Sequence, residues 1–330
     1  MLNTILKFRN LNPYAANIHS LVRQQNRKVV FPLEMESIDT NLGGASSEMP
    51  KIAPPNVWLR LFVFIFIGFV SLTGIGLVLY SWAGTLVTGI AASFGAAALA
   101  NGITLRIYER GRLDDIGLDF SQASFQNLGW GFLGGLGSAL IVVAIPLLTG
   151  MATLEQSAPQ SHLASSFAFV ALGLFFGAVG EEMLFRGYGF QILLKRWGPF
   201  ATVLPTSVIF AWAHAENPDA HWLALVNTFA WGVLLGLSFL RSGDLWLPIG
   251  VHFGWNFTLP LFGVNLSGHT MSVSGYTMNW NVGPIWSGGN YGLEGSIFTL
   301  LILPIAGFYL WKAPIAVRRP FLLSDAEDGQ

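Results

Sequence analysis

Val179-Gly180-Glu181-Glu182-Met183-Leu184-Phe185-Arg186-Gly187 sets two adjacent carboxylates and an arginine inside an otherwise apolar run. Residues 165–185 are close to the ~20 residues that a helix needs to span hydrocarbon. A charge at the centre of such a span costs on the order of 2.5–3.5 kcal/mol by insertion scales, so ionisable residues kept there are candidates for function. Glu182 and Arg186 are four apart and stack on one helix face, so they can pair. Glu181 points about 100° away from Glu182 at about 3.6 residues per turn, so the two acids cannot serve the same role.

The rest of the chain supports a membrane setting. Its 330 residues are 52% hydrophobic and 11% charged, with a mean hydropathy of +0.54, whereas soluble domains carry about 25% charged residues. An all-α, polytopic membrane helix bundle is expected. The formal net charge of −1 argues neither for nor against nucleic acid, because with so few charges their placement carries the information; no nucleic-acid partner is expected. The absence of cysteine rules out disulfides, a thiolate nucleophile and a Cys-ligated metal. The first thirty residues lack the compact apolar core and small-residue site of a cleavable signal.

Eight apolar runs follow one another at residues 58–82, 85–105, 128–149, 165–185, 200–215, 222–240, 247–264 and 296–311. About eight transmembrane helices are therefore expected within residues 57–312. The fourth is expected to continue, as helix or interfacial segment, to Arg196. Gly131 and Gly135 form a small-xxx-small pair suited to close helix packing. Residues 1–56 read as a cytoplasmic, partly disordered extension with a short helix near residues 18–25, and residues 313–330 as a cytoplasmic tail. Residues 106–118 read as an amphipathic connector. Residues 265–295 form one long outer loop, whose aromatics Tyr276, Trp280, Trp286 and Tyr291 are expected at the bilayer interface, with a lid over a site as the alternative.

Charge placement checks this count. Lys and Arg collect in residues 7–60, 106–112 and 186–196, at Arg241 and in residues 312–319, while the intervening connections hold none. The positive-inside rule then puts both termini in the cytoplasm of a multi-pass cell-membrane protein.

Few ionisable residues lie well inside the spans: Glu181, Glu182, Arg186, His214 and His252, joined by the polar Asn256 one turn after His252. Glu181 lies 17 residues before Gly198 and His214 lies 16 after it, so two helical arms would bring both to about 24–26 Å from that turn. His252 and Asn256 face a common cavity from about 14 and 20 Å beyond Gly243. A carboxylate beside an imidazole can hold and deprotonate water, and an imidazole with an amide can stabilise an oxyanion. That inventory suits amide hydrolysis by an activated water. A structural lock, a helix-packing histidine and a proton or ion pathway use the same residue types.

Three motifs in order complete the pattern: Glu181-Glu182-Met183-Leu184-Phe185-Arg186, Phe210-Ala211-Trp212-Ala213-His214 and His252-Phe253-Gly254-Trp255-Asn256. The chain here resembles the CPBP intramembrane proteases, the group of CAAX prenyl proteases type 2 and their bacterial relatives, over roughly residues 160–260. The resemblance implies a peptidase acting on a membrane-associated or lipidated protein or peptide, with a peptide or protein substrate and the lipid bilayer as partners. It implies that Glu181 activates water, that His214 helps to hold it, that His252 and Asn256 form the oxyanion site, and that Glu182 and Arg186 support them. No motif position departs from the pattern. No cofactor is expected; if a metal is used, Glu181, His214 and His252 would hold zinc. A non-catalytic membrane scaffold or bacteriocin-immunity-type binding protein is the competing reading, and a transporter is disfavoured because no internal repeat is evident.

Overall fold

The computed structural model describes residues 56–156, 163–271 and 273–323; the expected N-terminal extension and its short helix lie outside them. The first long apolar run forms α1 (Val57–Thr104), begun by Asn56, whose side chain accepts the Trp58 amide. Gly84 breaks it with φ 72° and ψ 163°, a backbone state that costs little only without a Cβ. The break separates arms 57–83 and 85–104, matching the first two expected apolar runs.

Then come α2 (Gln122–Leu148), α3 (Leu163–Arg186), α4 (Tyr188–Trp197), α5 (Pro199–Ala213), α6 (Trp222–Ser242), α7 (Trp246–Thr258) and α8 (Ile297–Lys312). Four helical stretches among the described residues are long and apolar enough to cross a membrane: Val57–Glu109, Gln122–Leu148, Ser165–Trp197 and Trp222–Ser242. Pro199–Ala213 and Ile297–Lys312 are apolar but shorter. The chain is thus an all-α helical membrane bundle, with one small addition: β1 (Ala152–Gln156) pairs antiparallel with β2 (Tyr276–Trp280).

Two local expectations are made more definite and one is corrected. The fourth run continues as helix past Arg196 to Trp197, as expected, with a break at Gly187: α3 stops at Arg186 and α4 starts at Tyr188. Asn101 of α1 clips this break, its Oδ1 accepting from the Tyr188 amide at 2.7 Å and its Nδ2 donating to the Met183 carbonyl at 3.0 Å. Residues 106–118 form an irregular connector. A π-helical turn (Leu105–Glu109) and a 3₁₀ turn (Leu113–Ile116) lead into a loop whose Gly117 carbonyl accepts the Leu245 amide. Tyr291 is not at an interface but fully buried, while Trp286 and Tyr276 are exposed.

The α2–α7 seam positions one half of the site. A Cβ on Gly131 would stand 2.9 Å from the Val251 nitrogen and one on Gly135 2.7 Å from the Trp255 nitrogen. Gly250 and Gly254 return the favour, with 2.8 Å to the Phe132 nitrogen and 2.9 Å to the Leu136 nitrogen. Glycines on both partners let the backbones touch, which is how helices associate where water supplies no hydrophobic drive. The small-xxx-small pair read in α2 is therefore half of a reciprocal device, and α7 carries His252 and Asn256 along it.

At the end of the bundle that carries Lys and Arg, hydrogen bonds tie the connections together. Asn127 donates to Asp244 at 2.6 Å and to the Ala316 carbonyl at 2.9 Å, Trp246 donates to the Asp119 carbonyl at 2.8 Å, and Arg318 pairs with Asp119. The segment after α8 is thus a strap fastened across that end as far as the described residues run.

Candidate active site

Glu181, Glu182 and Arg186 come from the last two turns of α3. His214 caps the C-terminus of α5, and His252 and Asn256 lie on successive turns of α7. These six residues, from three helices distant in sequence, are drawn around one centre.

Glu182 is its hub. Its side chain is fully buried, and Oε1 takes Arg186 Nη1 at 3.1 Å and His252 Nδ1 at 2.9 Å. Arg186, itself 2% exposed, also donates to the Gly232 carbonyl of α6 at 2.9 Å and lies 4.9 Å over the Phe210 ring. Charge, hydrogen bond and ring face thus all hold one guanidinium. The Glu182–Arg186 pair was legible from spacing; the Glu182–His252 bond was not, because it depends on how α3 and α7 are rotated.

Glu181 is held differently. Its Oε2 stands 3.8 Å from His214 Nε2 and 3.8 Å from His252 Nε2, and it has no hydrogen-bond partner among the described residues. The first arm from Gly198 is shortened by the break at Gly187, yet Glu181 and His214 still meet. His214 Nδ1 sits 2.8 Å from the Phe210 carbonyl, so it donates there and leaves Nε2 free toward the carboxylate. The second and first positions of the Phe-x-x-x-His motif thereby act together: Phe210 supplies the carbonyl that orients the imidazole, and its ring packs on Arg186.

Glu181, His214, His252 and Asn256 line a cavity of ≈ 480 Å³. Its wall includes Trp231, Trp255, Ser267, His269 and Glu294, which motif reasoning did not single out. Glu294 fastens the outer loop to α7: Oε2 accepts from the Ser267 amide at 2.6 Å and hydroxyl at 2.7 Å, and Oε1 from Trp255 Nε1 at 3.0 Å. Nothing in the loop's polar composition marked Glu294. Asn101 did carry a signal, as a lone amide in an Ala- and Gly-rich apolar run.

A metal was the open question. Among the described residues, Glu181 Oε2 stands 3.8 Å from the Nε2 of each histidine, against the ~3.4 Å that tetrahedral ligands about 2.1 Å from zinc would keep. Among the described residues, no group of three or more His, Cys, Asp or Glu side chains is gathered to hold a metal ion.

Fold and geometry together define a helical membrane protein with a buried carboxylate–imidazole centre. Residues 163–258 match the family described as Rce1-like, type II CAAX prenyl endopeptidase, within a few residues of the limits expected from the three motifs. The segment matched contains all six site residues. The chain is also similar to an Escherichia coli protein described as an uncharacterized 24.3 kDa protein, 31% identical over 119 residues, covering 36% of this chain and 51% of that one. The match thus spans about half the length of that curated relative.

Proposed function

We propose that the protein is an intramembrane endopeptidase that hydrolyses peptide bonds of a membrane-associated or lipidated protein or peptide. The observation that carries the reading is the Glu181 carboxylate on the cavity wall, its Oε2 without a partner and 3.8 Å from the Nε2 atoms of both His214 and His252. That spacing is too long for a direct hydrogen bond and of the kind that a shared water bridges. The family match over residues 163–258 supports the reaction class.

In the proposed reaction, Glu181 takes a proton from a water held with His214, and the water oxygen bonds to the substrate carbonyl carbon. The carbonyl electron pair moves onto oxygen, where His252 and Asn256 donate to the oxyanion. Collapse breaks the C–N bond, and the proton on Glu181 passes to the leaving amine. Glu182 fixes the orientation of the His252 ring. With Nδ1 donating to Glu182, Nε2 of His252 can donate only as imidazolium, and that charge also balances the centre: two carboxylates against Arg186 and His252.

No step is routed through a metal. Both termini are assigned to the cytoplasm by the positive-inside rule, with the apolar runs in eight spans of a cell membrane.

The test is cleavage of a reporter peptide in reconstituted bilayers. Glu181→Gln and His214→Ala should each abolish cleavage while the protein still inserts and melts as the unaltered chain does. Full activity in both variants would leave the competing role, a non-catalytic binding protein, as the better account. A strong chelator should leave cleavage intact; activity lost on chelation and restored by zinc would overturn the metal-free assignment.

A further inference from the structure

The two ends of the bundle differ in charge and in closure. All Lys and Arg residues fall in residues 7–60, 106–112 and 186–196, at Arg241 and in residues 312–319. The opposite end, made among the described residues by the turn at Gly84, residues 150–156, the 216–221 connection and the 265–295 loop, has none and carries Glu155, Glu216, Asp219 and Glu294.

The cavity belongs to that second end. Asn217, Leu266, Ser267, His269, Met271 and Glu294, all from the connections of that end, line it together with Glu181, His214 and His252. No residue of the basic-end connections, 106–121, 187–199, 241–246 or 312–323, lines it. The basic end is shut instead. The Asn127–Asp244–Ala316 and Arg318–Asp119 bonds close it, with Gln191 donating to the Ile116 carbonyl at 2.9 Å and Arg241 to the Ala313 carbonyl at 2.8 Å. Immediately beneath the carboxylates, buried Arg186 and the Gly232 carbonyl seal the floor.

One side wall is apolar and reaches the bilayer-facing surface. Leu72, 43% exposed, lines the cavity together with Ile90 of the second α1 arm and Gly173 and Gly177 of α3. Gly173 lets Ile90 pack close, a Cβ there standing 3.0 Å from Ile90 Cδ1. A ligand in this space would have an apolar part against α1 and α3 and a polar part at the loop.

We infer that the cavity is entered from the Lys- and Arg-free, extracytoplasmic face, and that its substrates are membrane-anchored peptides whose scissile bond lies on the outer side of the bilayer. The orientation follows from charge asymmetry and closure; the word substrate rests on the function proposed above.

The absence of native cysteine makes the test direct. Single cysteines are introduced in the full chain at His269 on the cavity wall, at exposed Thr270 beside it and at Val317 on the closed end, 72% exposed. Intact cells are then treated with a membrane-impermeant maleimide. His269→Cys and Thr270→Cys should label from outside, and Val317→Cys only after the membrane is opened. Labelling of Val317→Cys in intact cells with protection of Thr270→Cys would overturn the inference.

Labelling does not depend on catalysis, and His269→Cys combined with Glu181→Gln should label as before. Reporter peptides anchored in vesicles with the cleavage sequence on one face or the other supply the second measurement. Cleavage confined to the face carrying Thr270 supports the proposal, and cleavage confined to the face carrying Val317 overturns it while leaving the peptidase intact. No cleavage on either face, with outside labelling of Thr270→Cys, removes the proposed function but keeps the orientation.

Discussion

Arg186→Met is the perturbation whose size the structure fixes best. The guanidinium is 2% exposed, and it donates to Glu182 Oε1 at 3.1 Å and to the Gly232 carbonyl at 2.9 Å. Methionine fills much of the same volume but strips the fully buried Glu182 carboxylate of its guanidinium partner, leaving His252 as its one donor. Removing one member of a buried, hydrogen-bonded pair costs about 3–5 kcal/mol, or roughly 10²- to 10⁴-fold in the unfolding equilibrium. Replacing both members is far milder, because no charge is left stranded. The Glu182→Gln, Arg186→Met double variant should therefore recover most of that stability. It should not recover cleavage, since His252 Nδ1 then faces an amide in place of a carboxylate. The assay is denaturant unfolding in detergent micelles of the unaltered chain, the single variant and the double variant, with reporter cleavage measured in parallel. A single-variant cost below ~1 kcal/mol, or a double variant as unstable as the single one, would refute the view of Glu182–Arg186 as a desolvated pair.

Three further outcomes follow from particular contacts. Glu294→Ala removes the acceptor of the Ser267 amide and hydroxyl; charge-assisted bonds of this kind are worth about 1.5–3 kcal/mol. Hydrogen exchange across residues 265–271 should then quicken by about 10- to 100-fold, and unchanged exchange would mean the loop is held elsewhere. Gly135→Ala drives a Cβ to within 2.7 Å of the Trp255 nitrogen and should cost about 1–3 kcal/mol with a loss of cleavage, whereas Gly137→Ala, with nothing within 4 Å, should melt as the unaltered chain does. Asp244 lies in the α6–α7 turn, where burial pushes its carboxyl up, opposed by hydrogen bonds from Asn127, Leu247 and Ser242 and by the Arg318 charge. A raised folded-state value contributes stability that is complete below the ordinary carboxylate range and lost as pH rises through the raised one. The stability of the unaltered chain relative to Asp244→Asn should therefore shrink as pH rises over that window, and a pH-independent difference in melting would count against it.

The helices were legible because apolar runs and glycine breaks are local signals. The Gly84 turn lies between the first two runs, and Gly131 and Gly135 announced a close-packed face. What failed was anything requiring the partner element. The β1–β2 pairing joins Ala152 to Trp280 across about half of the bundle's sequence, and neither short strand carries an alternation strong enough to stand out from its loop. Tyr291 looked interfacial by type, but the 265–295 loop folds inward over it. The arm-length estimate for Glu181 and His214 allowed for a bend at Gly187 or Gly189 but not for what holds it. The two residues meet in spite of the break at Gly187, with Asn101 of α1 holding that break from outside the motif.

The site shows the same division between spacing and rotation. Glu181 and Glu182 are adjacent and chemically identical, and sequence could say only that they face about 100° apart. What makes them different is what each face meets. Toward α6 and α7 lie Arg186, His252 and the Gly232 carbonyl, so Glu182 is fully buried with two donors on a single oxygen. Toward the cavity lies His214, brought there by the short α5, and Glu181 keeps 30% of its side chain exposed with no donor closer than 3.8 Å. Each keeps an Oε2 without a partner, but only Glu181 lines the cavity, where a water can reach it, while Glu182 has two donors on its other oxygen. His252 joins the two, taking its orientation from Glu182 through Nδ1 and presenting Nε2 to the space that Glu181 faces. The proposed brace is thus coupled to the proposed chemistry through one imidazole, which is why loss of Arg186 is expected to reach the cavity although Arg186 does not line it.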